Sequence, residues 1–425
     1  MPLSRRNFLR NAALLSACSL GEIAAFAGPS APTGSEGQIS ENDEDYWQSV
    51  RRSFPLTREW TYLNNGTVGP SPYAVIEATR AGMMETDLTG NYNGYEAATE
   101  KLAHFVGADA DEIALTHNVT EGINIACWGL PLRRGDEVIL TTHEHVGNAF
   151  PWLNRQKLHG IVLKVYTPAA TAAETLERIA ALITRKTRAI ATPHIPCTQG
   201  QVLPIREICR LAKDRGLFSV IDGAHGPGMI PINLHEMGCD TYASCCHKWM
   251  LGPKGTGFLY VRKDFQSQLQ PYFVGGGGDT GVWNMAAHPI RSTDYAPNAH
   301  RYYGGTQSLG LAKGIIAAVD FLEEIGMEHI HRRIKSLGRY TQEQLLSFGQ
   351  KIELLTPTEE RSFCAINGFR IRGVDSGKFF TDCLAAKVRI RSVQENGLNA
   401  LRVSTHIYNS KADIDQLIRQ IRKVA

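Results

Sequence analysis

Several signals that would place a chain in a class at once are missing here. Past residue 30 no apolar run is long enough to span a bilayer, so that part of the chain carries no membrane-spanning helix. The 45 basic and 42 acidic residues are interspersed, for a formal net charge of +3, and no basic block stands outside the extreme N-terminus. A nucleic-acid partner therefore has no electrostatic footprint. None of the nine cysteines forms a Cys-x-x-Cys pair, and no His/Cys spacing suggests zinc. Their scatter through apolar segments suits buried free thiols; an oxidising compartment leaves one bridge open, and spacing does not choose it. There is no Gly-rich nucleotide loop followed by Lys-Ser/Thr, and no internal repeat. What is present is an ordinary globular composition, 43% apolar and 20% charged, in 425 residues, enough for two domains.

Residues 1–27 read as an address. Ser4-Arg5-Arg6-Asn7-Phe8-Leu9 is followed by Ala12, Ala13, Leu14 and Leu15 and by a small-residue end at Ala25-Phe26-Ala27. A charged start, apolar middle and Ala-x-Ala end are the parts of an export signal. The paired arginines resemble the twin-arginine type, whose machinery carries folded proteins. The expected location is the periplasm. Leu15-Ser16-Ala17-Cys18 also resembles a lipoprotein signal, which leaves open a lipid anchor at Cys18. A cytoplasmic N-terminal amphipathic helix is the alternative.

Residues 28–60 read as a linker and N-terminal arm, since Gly28 to Ser40 is rich in Gly, Pro and Ser. From 61 to 305 short apolar runs alternate with helical stretches. Seven candidate strands stand at Glu112–Thr116, Glu137–Thr141, Ile161–Tyr166, Thr187–Thr192, Leu217–Asp222, Thr241–Ser244 and Gly257–Val261. Helical stretches include Val75–Asp87, Glu121–Trp128, Ala172–Ile183 and Ile205–Asp214. Strand alternating with helix predicts an α/β large domain, a mostly parallel seven-stranded sheet covered on both faces. Such sheets bind ligands beyond the carboxyl ends of their strands. Gly275–Gly305 suits an irregular loop lining a site. Residues 306–425 change character: a helical run from Gln307 to Phe348, strands at Phe369–Ile371, Val388–Ile390 and Leu401–Ser404, then a helix from Asp413. This predicts a connecting helix and a smaller α+β C-terminal domain.

Three segments carry chemistry. Thr116-His117-Asn118-Val119-Thr120-Glu121-Gly122 turns a strand into a helix, where free N–H groups and the Thr120 hydroxyl suit an anion; by itself Thr120 is equally a cap. The buried strand Leu217–Asp222 ends on a carboxylate that can hold a protonated pyridine nitrogen, or merely cap the next turn. The next strand leads to Cys245-Cys246-His247-Lys248-Trp249. A lone lysine is most often a solvated charge. Lys248, however, lies between Trp249-Met250-Leu251 and a hydrophobic strand, one strand–turn unit from Asp222, where an amine can form a Schiff base and shuttle protons.

The order of Thr120-Glu121-Gly122, Asp222-Gly223-Ala224-His225, His247-Lys248-Trp249 and Gly252-Pro253-Lys254-Gly255 resembles the class V aminotransferase family of fold-type I pyridoxal-phosphate enzymes. The resemblance runs from about Tyr62 to the C-terminus. Leu63-Asn64-Asn65-Gly66 and the Asp222 and Lys248 motifs are most similar to the isopenicillin N epimerase branch. It implies pyridoxal 5'-phosphate as cofactor, held by Lys248 as a Schiff base with Asp222 on the pyridinium nitrogen. It also implies His225 at the ring hydroxyl, His145 stacked on the ring, and Val119, Thr120 and His247 at the phosphate. Thr306 would reach a phosphate across a homodimer interface. Arg402, whose planar fork suits a carboxylate, and Asn65 would bind substrate.

There are departures. Cys245 stands where the family has Ser or Thr, with Ser244 one place earlier, so the third phosphate ligand is open. Cys197 stands where many relatives carry Asn. Arg291, Arg301, Tyr302 and Tyr303 flank the irregular loop, toward either substrate or a dimer partner. The Arg391–Arg402 stretch lacks the loop cysteine that desulfurases use as nucleophile, while Cys364 and Cys383 sit in strand-like and helix-like contexts. Desulfurase activity is therefore disfavoured. The expected function is an isopenicillin N epimerase-like enzyme acting at Cα of an amino acid or small peptide. Aminotransferase or C–S lyase activity is the alternative within the family, and a cofactor-binding protein without turnover is the alternative outside it.

Overall fold

The computed structural model describes residues 40–281, 283–291 and 294–425; the export signal expected at 1–27 lies outside them. Thirteen strands follow in chain order: β1 Thr61–Tyr62, β2 Ile113–Thr116, β3 Glu137–Thr141, β4 Val162–Tyr166, β5 Thr187–Pro193, β6 Phe218–Asp222, β7 Thr241–Cys245, β8 Gly257–Val261, β9 Ile352–Leu354, β10 Ile366–Ile371, β11 Val388–Arg389, β12 Arg391–Val393 and β13 Ala400–Ser404.

The large sheet has seven strands in the order β2-β8-β7-β6-β5-β3-β4. Strands β3 to β7 pair in parallel, and β8 alone runs against both of its neighbours. This is the mostly parallel α/β sheet that the alternating pattern predicts. β2, β3, β7 and β8 are buried along their whole length, as continuous apolar runs covered on both faces require. Edge strand β4 is less covered, with Val162 and Val165 exposed. Two helices supply cover that the sequence reading did not name, Glu96–Val106 and Val146–His159. The long helices Tyr73–Thr89 and Leu309–Ile325 cross where glycine meets glycine; a Cβ on Gly82 would stand 2.7 Å from the Gly310 Cα.

A second core is built from β9, β10, β13 and the helices Met327–Leu346, Ser376–Ala385 and Lys411–Ile421. Its sheet is antiparallel, ordered β12-β13-β10-β9. The N-terminal strand β1 pairs with β11, and Leu63 is buried in this second core. Residues 61–64 thus pack with the small domain, although the sequence pattern opens the large domain at 61. The segment expected to be linker contains the helix Glu44–Arg51, which sinks Trp47 and Val50 into the main core.

The parallel strands all deliver their carboxyl ends to one edge. Asn118 follows β2, His145 follows β3, Cys197 follows β5, Asp222 ends β6, and Lys248 follows β7. The small domain closes over that edge with β12 and β13.

Candidate active site

At this edge lies a cavity of about 240 Å³ lined by Val119, Thr120, His145, Asp222, His225, His247 and Lys248 from the large domain and by Arg391 and Arg402 from the small one. A larger cleft, about 590 Å³, opens at the other end of the strands between Arg206, Arg210, Lys213 and Asp240. It gathers mostly surface side chains, whereas the smaller cavity gathers buried polar groups, the usual mark of a reactive site.

Asp222 is 4% exposed. One oxygen accepts the Ala224 N–H at 2.9 Å. Burial pushes its carboxyl up, while Ala224 and the nearby Lys248 ammonium pull it down. A buried carboxylate so placed is stabilised by any cation brought beside it. His225 is also buried, and its Nδ1 accepts from the Trp249 indole at 2.9 Å. Its Nε2 has no partner among the described residues.

The helix Val119–Gly129 points its N-terminus at the cavity, capped by the Asn118 side chain on the Glu121 N–H. Beside it Gly147 leaves room for the Thr120 hydroxyl, which a Cβ would meet at 2.6 Å. His247 Nδ1 stands 3.1 Å from the Thr256 carbonyl, which only accepts, so this nitrogen carries hydrogen and Nε2 is the free one. Burial, then Lys248, lowers the pKa of His247. His145 caps the helix Val146–His159, its Nδ1 accepting from the Gly147 N–H at 3.0 Å. Burial and the cations around it lower its pKa to about 4, so a neutral imidazole faces the cavity.

Arg402 is 1% exposed and held by three bonds: to the Cys197 carbonyl at 3.1 Å, Asn64 Oδ1 at 2.9 Å and Thr67 Oγ1 at 2.7 Å. Its Nε has no partner among the described residues. Burial first, then Arg391 alongside, lowers its pKa to about 10. Both effects disfavour the cation, so the pair of arginines gains by taking up an anion. Arg391 lies 3.7 Å from the Cys197 thiol and forms an ion pair with Glu395.

Of the expected site residues, Val119, Thr120, His145, Asp222, His225, His247, Lys248 and Arg402 converge on the one cavity. Asn65 does not fit its expected part in binding substrate. It is fully buried, accepts from the Tyr408 hydroxyl at 3.0 Å and reaches the Lys248 carbonyl at 3.4 Å, so it holds the backbone behind the lysine. Thr306 is exposed, just ahead of the helix Leu309–Ile325 and outside the cavity. The Ser244 hydroxyl is committed to the Gly223 carbonyl at 2.9 Å, and Cys245 faces the cavity in its place. Arg301, Tyr302 and Tyr303 are tied to Ala296, Leu269 and Thr99 of their own chain. The sequence reading missed Arg391 and Thr67. Alternation around the buried Ile390 puts Arg389 and Arg391 on one face, but nothing local says that this face closes over the cavity.

The model of the family described as aminotransferase class-V matches residues 78–417, most of the chain. The chain belongs to the class-V aminotransferase family. It is a pyridoxal-phosphate-dependent enzyme. A probable cysteine desulfurase of Methanothermobacter thermautotrophicus is 28% identical over 403 residues, covering 89% of this chain and 98% of its own. The isopenicillin N epimerase of Amycolatopsis lactamdurans is 28% identical over 397 residues, covering 89% and 98%. Among solved structures, an apo cysteine desulfurase from Thermococcus onnurineus NA1 superposes with a TM-score of 0.77 at 24% identity, covering 90% of this chain and 98% of its own. A cystine C–S lyase in complex with its product cysteine persulfide gives 0.78 at 24%, covering 87% and 98%. These two likenesses are of fold.

The enzyme's cavity fits its cofactor group by group. Asp222 would hold the protonated ring nitrogen, since a buried carboxylate lacks just such a cation. The orphaned His225 Nε2 would meet the ring oxygen. The helix start at Val119 and Thr120 would take the phosphate, His247 would join it only by taking up a proton at Nε2, and Lys248 offers the amine for attachment.

Proposed function

We propose that this enzyme is a C–S lyase: it removes the Cα proton of a small amino acid carrying sulfur on Cβ, and the sulfur departs. When bound, pyridoxal phosphate supplies an electron sink for the charge left at Cα. Arg402 binds the substrate carboxylate through its planar fork and so fixes which face of Cα is presented. The Lys248 amine, on the floor of the cavity, takes the Cα proton and returns it to the departing sulfur. Asp222 keeps its negative charge beside the ring nitrogen and holds a proton there. The small domain closes β12 and β13 over the reacting atoms and keeps water out.

The observation that carries this reading concerns thiols. Among the described residues every cysteine is buried and free. Cys364 and Cys383 lie away from the cavity, with thiols pushed up to about 12 by burial. Cys197 and Cys245 do line it, but burial raises both of their thiols too, that of Cys245 to about 11. The wall from Arg391 to Arg402 contains no cysteine. A thiol must ionise and reach the substrate to take sulfur from it. Here the sulfur leaves with the product instead of passing to the protein, as the name of the cystine C–S lyase also suggests.

Epimerisation is the second reading, favoured by the isopenicillin N epimerase relative. Holoenzyme incubated with cystine and with other amino acids in heavy water separates the two. Release of sulfide or persulfide is expected together with pyruvate and ammonia, formed when the enamine left by elimination takes up water. Deuterium at Cα with mixed chirality and no pyruvate would establish the epimerase and overturn the lyase. The same proposal takes the working unit as a homodimer in which Thr306 reaches the partner's phosphate site, and the chain as a twin-arginine export substrate. A monomer of full activity in sedimentation would remove the first, and retention in the cytoplasm the second.

A further inference from the structure

Trp249 is fully buried, immediately after the lysine, and does not line the cavity. Its indole N–H donates to His225 Nδ1 at 2.9 Å. An indole can only donate, so Nδ1 must be the bare, accepting nitrogen of the ring. The single proton of the neutral imidazole then stands on Nε2, the nitrogen without a partner. Burial, then the charges of Lys248, Arg402 and Arg391, hold the ring far from taking a second proton.

The indole is itself fixed from the small domain. The His406 ring stacks on it at 5.6 Å and 25°, and Tyr408 stacks on His406 at 5.7 Å and 9°. Ile407 N–H donates to His406 Nδ1 at 2.8 Å, so His406 Nε2 carries hydrogen and donates to the Trp249 carbonyl at 3.0 Å. Two histidines in series are thus each forced into the Nε2–H form by a donor on Nδ1. The second of them, His225, opens on the cofactor cavity.

We propose that Trp249 is a positioning residue that locks His225 as a one-way donor to the ring oxygen of pyridoxal phosphate. A ring free to exchange tautomers offers that oxygen a donor only part of the time, and at other times a lone pair. The lock makes the donor permanent, which favours the oxygen in its anionic form. The inference rests on the cofactor and not on lyase chemistry, so it survives if the reaction proves to be epimerisation.

Nitrogen NMR of histidine-labelled apoprotein tests the lock without any reaction. Wild-type His225 should show hydrogen on Nε2 only, and Trp249→Phe, which keeps the stack on His406, should show both tautomers. Loading each protein with pyridoxal phosphate gives the second readout. Trp249→Phe should weaken binding roughly tenfold, the effect of leaving one buried acceptor unpaired, and shift the visible absorption band. A His225→Gln background supplies a donor that has no tautomers; there the same tryptophan change should alter affinity less than about twofold, since additivity fails only for groups that interact. Equal losses in both backgrounds would reduce Trp249 to packing and overturn the proposal. Hydrogen on Nδ1 of wild-type His225 would overturn it too, and that measurement stands even if Trp249→Phe does not fold.

Discussion

Asp222, His225 and Lys248 stand on the floor of the cavity at the ends of two neighbouring parallel strands, while Arg391 and Arg402 form its wall on β12 and β13 of the small sheet. On the floor, Asp222 and His225 each have one partner in the rigid frame, the Ala224 N–H for Asp222 and the indole for His225. The wall is built differently. Arg402 spends three bonds on Cys197, Asn64 and Thr67, drawn from two separate stretches of chain. The floor is thus set by strand register inside one sheet, the wall by how two cores dock. On the proposed reading, the floor carries chemistry shared by many amino-acid enzymes and the wall carries the choice of substrate.

Changing the floor should have the largest effect. Lys248→Ala is expected to abolish the yellow colour that borohydride bleaches and to cut turnover at least about 10²–10⁴-fold, the usual contribution of a positioned proton-transfer group. A variant that keeps full turnover would move the chemistry elsewhere and erase the distinction. On the wall, Arg402→Lys keeps a charge but loses the fork, and steady-state kinetics should show KM raised about 10–100-fold with a smaller change in kcat. A fall in kcat at constant KM would mean that the wall takes part in the chemistry.

Beneath His145 the floor hides Glu144, whose carboxyl burial pushes up from 4.5 to about 8. Below the lower value both folded and unfolded chains are neutral there; between the two only the unfolded chain ionises. Stability should therefore fall as pH rises through this window, at most about 1.4 kcal/mol per pH unit. Denaturant titrations of wild type and Glu144→Gln across the window should diverge, the variant being flatter; parallel curves would show that Glu144 is ionised in the folded protein. The smallest effect is expected at Cys364, whose buried thiol lies 3.8 Å from the Met229 carbonyl and 3.7 Å from the His331 ring. Cys364→Ala should leave turnover unchanged in a pyruvate assay. Loss of activity would show that a protein thiol carries sulfur after all.

Much of the floor was legible in the chain. β3 and β8 run over the residues expected from their apolar runs, and the helix Ile205–Asp214 does as well. Buried parallel strands announce themselves by unbroken hydrophobicity, and polar residues just past such strands face a common edge. The helix Val146–His159 was harder to read because Phe150 and Leu153 are exposed and Pro151 sits inside it, which blurs the apolar stripe. Asn65 shows the opposite error: its motif pointed to substrate, but Tyr408, hundreds of residues away, claims its side chain.

The sequence by itself determined the sheet, the edge that holds chemistry, and the lysine and aspartate on it, because strand and helix periods are local and the carboxyl-end rule follows from them. Only the tertiary structure decided that Arg391 faces Arg402, that Asn64 and Thr67 hold the latter, and that Trp249 fixes the proton of His225. Each of these joins residues far apart in the chain or depends on which nitrogen of a ring meets a donor, and no local pattern encodes either.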